Sequence, residues 1–243
     1  MTAGAEPAHL DPGIRSRPLV FVEDLDHPAI DSGDLHHLRR VLRHDQHTPV
    51  TLCDGAGGWR TGTLDEVPGD LGPTNREVRR SPLVTVGVAL AKSVRSDLVV
   101  QKLTELGVDR IVMIRAERSV VRWSDSDTEA KLARMRRVVR ESAMQSRRLV
   151  LPEIVGTPTL QQFVVAERAV GRTVGIAEPG GERLSPSAST TVAVGPEGGW
   201  SPEELSLSAV RYGLGAGVLR VETAAIAVGV SLCAARDGWG PTP

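Results

Sequence analysis

Residues 191–194 form a short apolar run that empties into Gly195-Pro196-Glu197-Gly198-Gly199, and Ser201-Pro202-Glu203-Glu204 follows at once. The run has the length of a buried strand. The Ser201/Glu204 spacing is a capping box with proline at the first helical position, so a helix starts directly after the glycine loop. A strand that turns into a helix through bare backbone is a βα unit. The same texture runs back to residue 84. Residues 84–90, 110–114 and 173–177 read as strands, 96–106 as a helix closed by Gly107, and 124 to about 148 as a long helix. Alternating units with continuously apolar strands predict an α/β domain with a mostly parallel sheet.

The first part of the chain differs. Residues 18–22, 50–53 and 59–64 read as strands, the last two joined at the Asp54-Gly55 turn. Leu35, Leu38 and Leu42 fall at helical spacing and suit one short amphipathic helix. Proline and glycine cluster over 68–82, so a domain boundary is placed there, giving domains at 1–79 and 80–243.

Apolar residues make up 40% of the 243, with only 3% aromatic, so the cores must be built from aliphatic side chains. Two cysteines, Cys53 and Cys233, exclude a disulfide framework or a cysteine-based zinc cluster and suit a reducing cytoplasm. All six histidines precede residue 48, so the α/β domain cannot hold a Ser-His-Asp or Cys-His set. The irregular spacing of His44, His47 and Cys53 does not make a metal site, and no metal is expected. No uncharged apolar run approaches the ~20 residues that span a bilayer, so no membrane partner is expected.

Net charge is only −1, but residues 131–148 carry seven basic side chains against Glu141 alone. Leu132, Met135, Val139 and Ala143 share one face of that helix, leaving arginines on the rest. Surface helices usually interleave acids, so the imbalance points to a polyanion, RNA or DNA. Arg39, Arg40 and Arg43 form a smaller basic cluster.

The loop at 195–199 is neither a P-loop nor Gly-x-Gly-x-x-Gly, and Glu197 would repel phosphate. A second glycine loop, 214–220, precedes the alanine-rich apolar segment that closes the chain. Together they suit a neutral or cationic small molecule held by main chain, so chemistry there should rest on a bound cofactor.

In order along the chain stand His36-His37-Leu38-Arg39-Arg40-Val41-Leu42-Arg43, Asp54-Gly55 with Gly57-Gly58, Lys102-Leu103-Thr104-Glu105-Leu106-Gly107-Val108 and Glu117-Arg118-Ser119. Residues 141–152, the loop at 195–199 and Leu219-Arg220-Val221-Glu222-Thr223-Ala224 follow. This ordered set resembles the RsmE family of 16S rRNA (uracil-N3)-methyltransferases, of the SPOUT class. The resemblance implies an α/β SPOUT trefoil-knot domain, threaded over about 190–232, preceded by a small PUA-like RNA-binding β-barrel. It implies S-adenosylmethionine as cofactor, a homodimer, a cytoplasmic location, and methylation of uridine N3 in the decoding region of 16S rRNA on the small ribosomal subunit.

On that resemblance the cofactor would lie against Ala177, Glu178, Gly195, Pro196, Glu197, Gly198 and Gly199, and against Leu214, Gly215, Val218, Leu219, Arg220, Thr223 and Ala224. Glu197, Glu222 and Arg220 are the candidate catalytic groups. RNA contacts are expected from Arg39, Arg40, Arg43, Lys92, Lys102, Arg118, Arg136, Arg140, Gln145 and Arg148. The chain departs from the family pattern at Arg147, where glycine is usual, at Gly217, where arginine is frequent, at His47-Thr48 and at Met113. Ribose 2′-O-methylation and a non-catalytic RNA-binding role remain the competing readings.

Overall fold

The computed structural model describes residues 12–41, 43–91, 94–183 and 189–239. It divides into two compact units, the first comprising Met1–Arg80 with Arg140–Leu151, the second Ser81–Val139 with Pro152–Pro243. A boundary near residue 80 puts 140–151 in the second domain, whereas here they belong to the first unit.

In the first unit, α1 (Pro12–Ser16) precedes β1 (Leu19–Phe21), and a four-stranded sheet runs β1, β2 (Pro49–Cys53), β3 (Gly58–Thr63), β4 (Asn75–Arg76). β1 lies parallel to β2, and the other pairs are antiparallel. The β2–β3 hairpin turns where Asp54-Gly55 predicts: the Asp54 carboxylate accepts from the amides of Ala56 at 2.7 Å and Gly58 at 2.9 Å. Strand side chains alternate between faces, and here both faces are covered. Val20, Val22, Val50 and Leu52 pack with Ile30, Leu38 and Leu64. Leu19, Phe21 and Cys53 pack with Ile14, Ala143, Met144 and Leu149. Burial there pushes the Cys53 thiol up to about 12.

The helix expected from Leu35 to Leu42 starts earlier and changes character. α2 (Ser32–His36) is capped by Asp31, and a π-helical turn continues over His37–Val41. Leu42 lies outside the described residues.

The second unit holds a six-stranded, wholly parallel sheet. Its spatial order is β10 (Arg211–Gly213), β8 (Val174–Arg183), β9 (Thr191–Val194), β5 (Thr85–Ala89), β6 (Arg110–Ile114), β7 (Glu153–Val155). β5 and β9 are buried throughout, as parallel strands require. α3 (Ser96–Leu106) ends at Gly107, which is left-handed as expected. α4 (Asp125–Ser146) buries Leu132, Met135, Val139 and Ala143. α5 (Leu160–Ala169) sets Leu160, Phe163 and Val164 among Val112, Ile114, Ile176 and Ala193. α6 (Pro202–Ser206) carries the expected capping box but is one turn long. α7 (Val221–Asp237) packs on α3 and β5, and Gly229 lies close against Leu103. No described helix is long and apolar enough to cross a membrane.

Two ionic ties fix this frame. Arg110 bridges Glu153 at 3.0 Å and buried Glu167 at 2.6 Å, and Arg172 meets the other Glu167 oxygen at 2.6 Å. Arg236, near the end of α7, meets Asp109 at 2.6 Å, and Asp109 also accepts from the Val84 amide at 2.9 Å.

Candidate functional site

Ala177 pairs with Val194 across adjacent parallel strands, so the loop at 195–199 leaves the sheet's carboxyl edge beside Glu178 of β8, which itself runs on to Arg183. β6 is in register with β5, and β5 with β9, so residues 115–122 leave from that edge too. The loop at 214–220 follows β10 beyond β8. Carboxyl ends of parallel strands are where open α/β sheets place ligands.

Gly199 closes the 195–199 turn by donating to Pro196 O at 2.9 Å, with φ +69°. Gly215 has φ +120°. Both conformations favour glycine. A Cβ added at Gly199, Gly215 or Gly217 would meet nothing within 4 Å, so main chain borders open space at these points. Val218 and Leu219 are exposed apolar side chains on the second loop. Pro196 is buried, Glu197 exposed.

Gly198, expected to border the cofactor, packs beside Arg118. A Cβ there would face Arg118 Cβ at 3.4 Å, and Arg118 Nη1 donates to Gly198 O at 3.2 Å. The Glu117 amide donates to Glu204 Oε1 at 3.0 Å, while Glu204 Oε2 accepts from the Ser201 amide. Residues 117–118 are thus pinned to the glycine loop and to the α6 cap.

Arg220 is the N-cap of α7 without a side-chain cap bond. Glu222, in the first turn, holds one carboxylate oxygen buried with no hydrogen-bond partner. Trp200 Nε1 is likewise buried and unpartnered, beside Gly195. Buried polar atoms without a partner are rare and costly. Thr223 is exposed, whereas Ala224 is largely buried and Leu214 half-buried.

The arginine helix is less one-sided in space than in sequence. Arg134 pairs with Asp97 of α3, Arg136 with Glu129 at 2.6 Å, and Lys131 lies 5.0 Å over the Trp123 ring. Arg140 binds Asp34 at 2.7 Å and Phe21 O at 2.9 Å in the first unit, which makes it a structural tie there. Arg39 holds Leu64 O at 2.7 Å, and Lys102 pairs with Glu105 at 2.8 Å. Arg40, Arg43, Arg137 and Gln145 are exposed, and Arg148 is half-buried. Lys92 lies outside the described residues. A helix's acids can sit on its neighbours, which a count along one helix misses.

A cavity of about 470 Å³ that sequence reading missed opens between residues 115–122, the start of α5 and α6. Arg115 and Arg122 line it with Glu117, Gln161 and Glu203. No group of three metal-ligating side chains occurs among the described residues.

A parallel sheet with glycine loops at its carboxyl edge has its ligand side there, and residues 79–232 match the RNA methyltransferase domain family, which sets the class of the protein. A relative from Mycobacterium bovis, the ribosomal RNA small subunit methyltransferase E, is 36% identical over 216 residues, 81% of this chain and 82% of that protein. The chain belongs to the ribosomal RNA small subunit methyltransferase E family. A methyltransferase from Legionella pneumophila, solved with bound S-adenosylmethionine, superposes with a TM-score of 0.76 at 28% identity, covering 90% of this chain and 98% of that one. The Neisseria gonorrhoeae ribosomal RNA small subunit methyltransferase E, bound to S-adenosylmethionine, shares the fold at TM-score 0.75 and 24% identity, with coverage of 90% and 98%.

Proposed function

We propose that this protein uses S-adenosylmethionine to methylate N3 of a uridine in the decoding region of 16S rRNA, acting in the cytoplasm on the assembled small subunit. The observation that carries the reading is the pair of glycine loops at 195–199 and 214–220, which present bare main chain to open space at one edge of a parallel sheet. The cofactor fits the residues there. Main-chain groups and exposed Val218 and Leu219 suit an adenosine, and its cationic sulfonium tolerates Glu197 and Glu222, which a phosphate would not. When bound, it supplies an electrophilic methyl group.

Ala177, Glu178 and Gly195 border one side of this site, and Leu214, Gly215, Val218, Leu219, Thr223 and Ala224 the other. Uracil N3–H is weakly acidic, so the proton must leave as the nucleophile forms. Glu222 has the carboxylate oxygen without a partner, and it takes the N3 proton in this reading. Arg220, exposed beside it, steadies the negative charge on a uracil carbonyl oxygen. Glu197 orders the loop. The target base leaves its stack to reach the site.

The connection after β9 supports the trefoil knot of SPOUT enzymes: it passes β8 to form β10 at the sheet edge, then returns as α7 on β5 and α3. The mixed sheet of the first unit supports the PUA-like RNA-binding barrel. The exposed apolar Val230 and Trp239 on α7 and after it support a homodimer.

The test is calorimetric titration with S-adenosylmethionine, followed by methylation of small subunits and nucleoside analysis of the product. One site per subunit and N3-methyluridine are expected. A 2′-O-methyl nucleoside would overturn the N3 assignment, and no binding at millimolar ligand would overturn the enzyme reading.

A further inference from the structure

The cavity beside the glycine loop has a lining of mixed chemistry that the methyl-transfer reading does not use. Arg115 follows the last residue of β6, and its amide donates to Pro158 O at 2.9 Å, which fixes its backbone at the rim. Arg122, at the far end of the same loop, also lines the cavity. Neither guanidinium forms an ion pair among the described residues, unlike Arg134, Arg136 and Arg140. The acids that line the cavity with them are Glu117, Glu203 and Glu204. Glu204 is consumed, with one oxygen on the Glu117 amide and the other on the Ser201 amide. Glu117 and Glu203 keep exposed carboxylates.

A simple anion does not fit this lining, because two carboxylates oppose it. A ligand that carries acceptors at one end and a hydroxyl donor at the other does fit. The volume, about 470 Å³, is in the usual range for a small-molecule pocket. We propose that the cavity receives one ribonucleotide of the substrate strand next to the methylated base. Arg115 and Arg122 hold its phosphates, and Glu117 or Glu203 accepts from its 2′-hydroxyl. The 2′-hydroxyl is the group by which a site distinguishes RNA from DNA. The proposal rests on the RNA methyltransferase reading above. It adds a sugar-reading subsite tied to the glycine loop through Arg118 and Gly198.

The experiment uses the full chain with S-adenosylmethionine, and measures binding of oligouridylate and of its 2′-deoxy counterpart over a range of salt. For Arg115→Gln/Arg122→Gln, oligouridylate affinity should fall about tenfold, and the slope of log K against log salt should shrink by about 1.4, two single-strand phosphate contacts. Glu117→Ala/Glu203→Ala should retain that slope but lose most of the preference for ribose over deoxyribose. Both variants should bind S-adenosylmethionine with unchanged affinity, which also shows that they fold. Wild-type affinity and salt slope in the arginine variant would overturn the subsite, as would an intact ribose preference in the glutamate variant. Loss of cofactor binding by the unaltered protein would instead defeat the enzyme reading, so the two failures are separable.

Discussion

Arg147 shows what one residue can cost. It follows the last turn of α4 with φ +59°, in the left-handed region where a side chain is penalised. Its Nε is buried without a partner, and burial lowers the pKa of its guanidinium. One bond offsets this, from Nη1 to Met144 O at 2.5 Å. The family resemblance implies glycine at this position, and the left-handed backbone supplies a physical reason for one. Arg147→Gly should therefore stabilise the protein by about 1 kcal/mol, the left-handed penalty less the lost bond. An unchanged or lower urea midpoint would show that the bond to Met144 outweighs the strain. Gly198 argues the opposite way. Valine there would press on Arg118 and break its bond to Gly198 O, shifting the 195–199 loop. Cofactor affinity, read by calorimetry, should drop about tenfold as the loop shifts, and unchanged affinity would take this loop out of the site.

Among elements, the tie of β6, β7 and α5 at Glu167 has the clearest pH signature. Burial alone would raise this carboxyl, but hydrogen bonds from Arg172 and Arg110 outweigh it and hold the group below the usual glutamate range. A depressed folded pKa means that the unfolded chain binds the proton more readily. The stabilisation is thus complete above the unfolded glutamate pKa and is lost as pH falls through the folded value. Glu167→Gln should cost about 2 kcal/mol at neutral pH and much less in acid, so its urea midpoints should approach those of the unaltered chain as pH drops. A gap that stays constant would remove the charge from the argument. Sequence made several elements legible for concrete reasons. β6 and β9 are continuous apolar runs, α3 ends on a left-handed glycine, and α6 announces itself by its capping box. α5 was missed although Thr159 and Gln162 form the same kind of box. β10 was not legible at all: its three residues become a strand only because Tyr212 finds Glu182 far back along β8. The glycine loops stood out in the chain because unusual backbone needs unusual residues. The Arg115/Arg122 cavity did not, because it is built from ordinary side chains that only folding assembles.

At the scale of the whole molecule, the boundary near residue 80 is incomplete as a statement about folding. The first unit takes back Arg140–Leu151 from a point far along the chain. Ala143, Met144 and Leu149 cover the face of Leu19, Phe21 and Cys53. Val150 bridges Ala56, the Leu151 amide donates to Gly55 O at 2.9 Å, and Arg140 ties Asp34 to Phe21 O. Helical periodicity in the sequence correctly assigned a buried face to α4, but periodicity does not say what covers that face. Removing a large apolar side chain from a core costs roughly 2–5 kcal/mol, and a small domain has only about 5–15 kcal/mol in all. A fragment of residues 1–80 loses Met144 and Leu149 together with the ionic tie, which is comparable to its entire stability. It should therefore show no cooperative urea transition by near-ultraviolet dichroism. Adding a peptide of residues 140–151 at high concentration should restore one, with a midpoint that rises with peptide. A sharp transition from residues 1–80 alone would mean that the Leu19/Phe21 face needs no cover, and that the segment after Val139 merely rests on a finished domain.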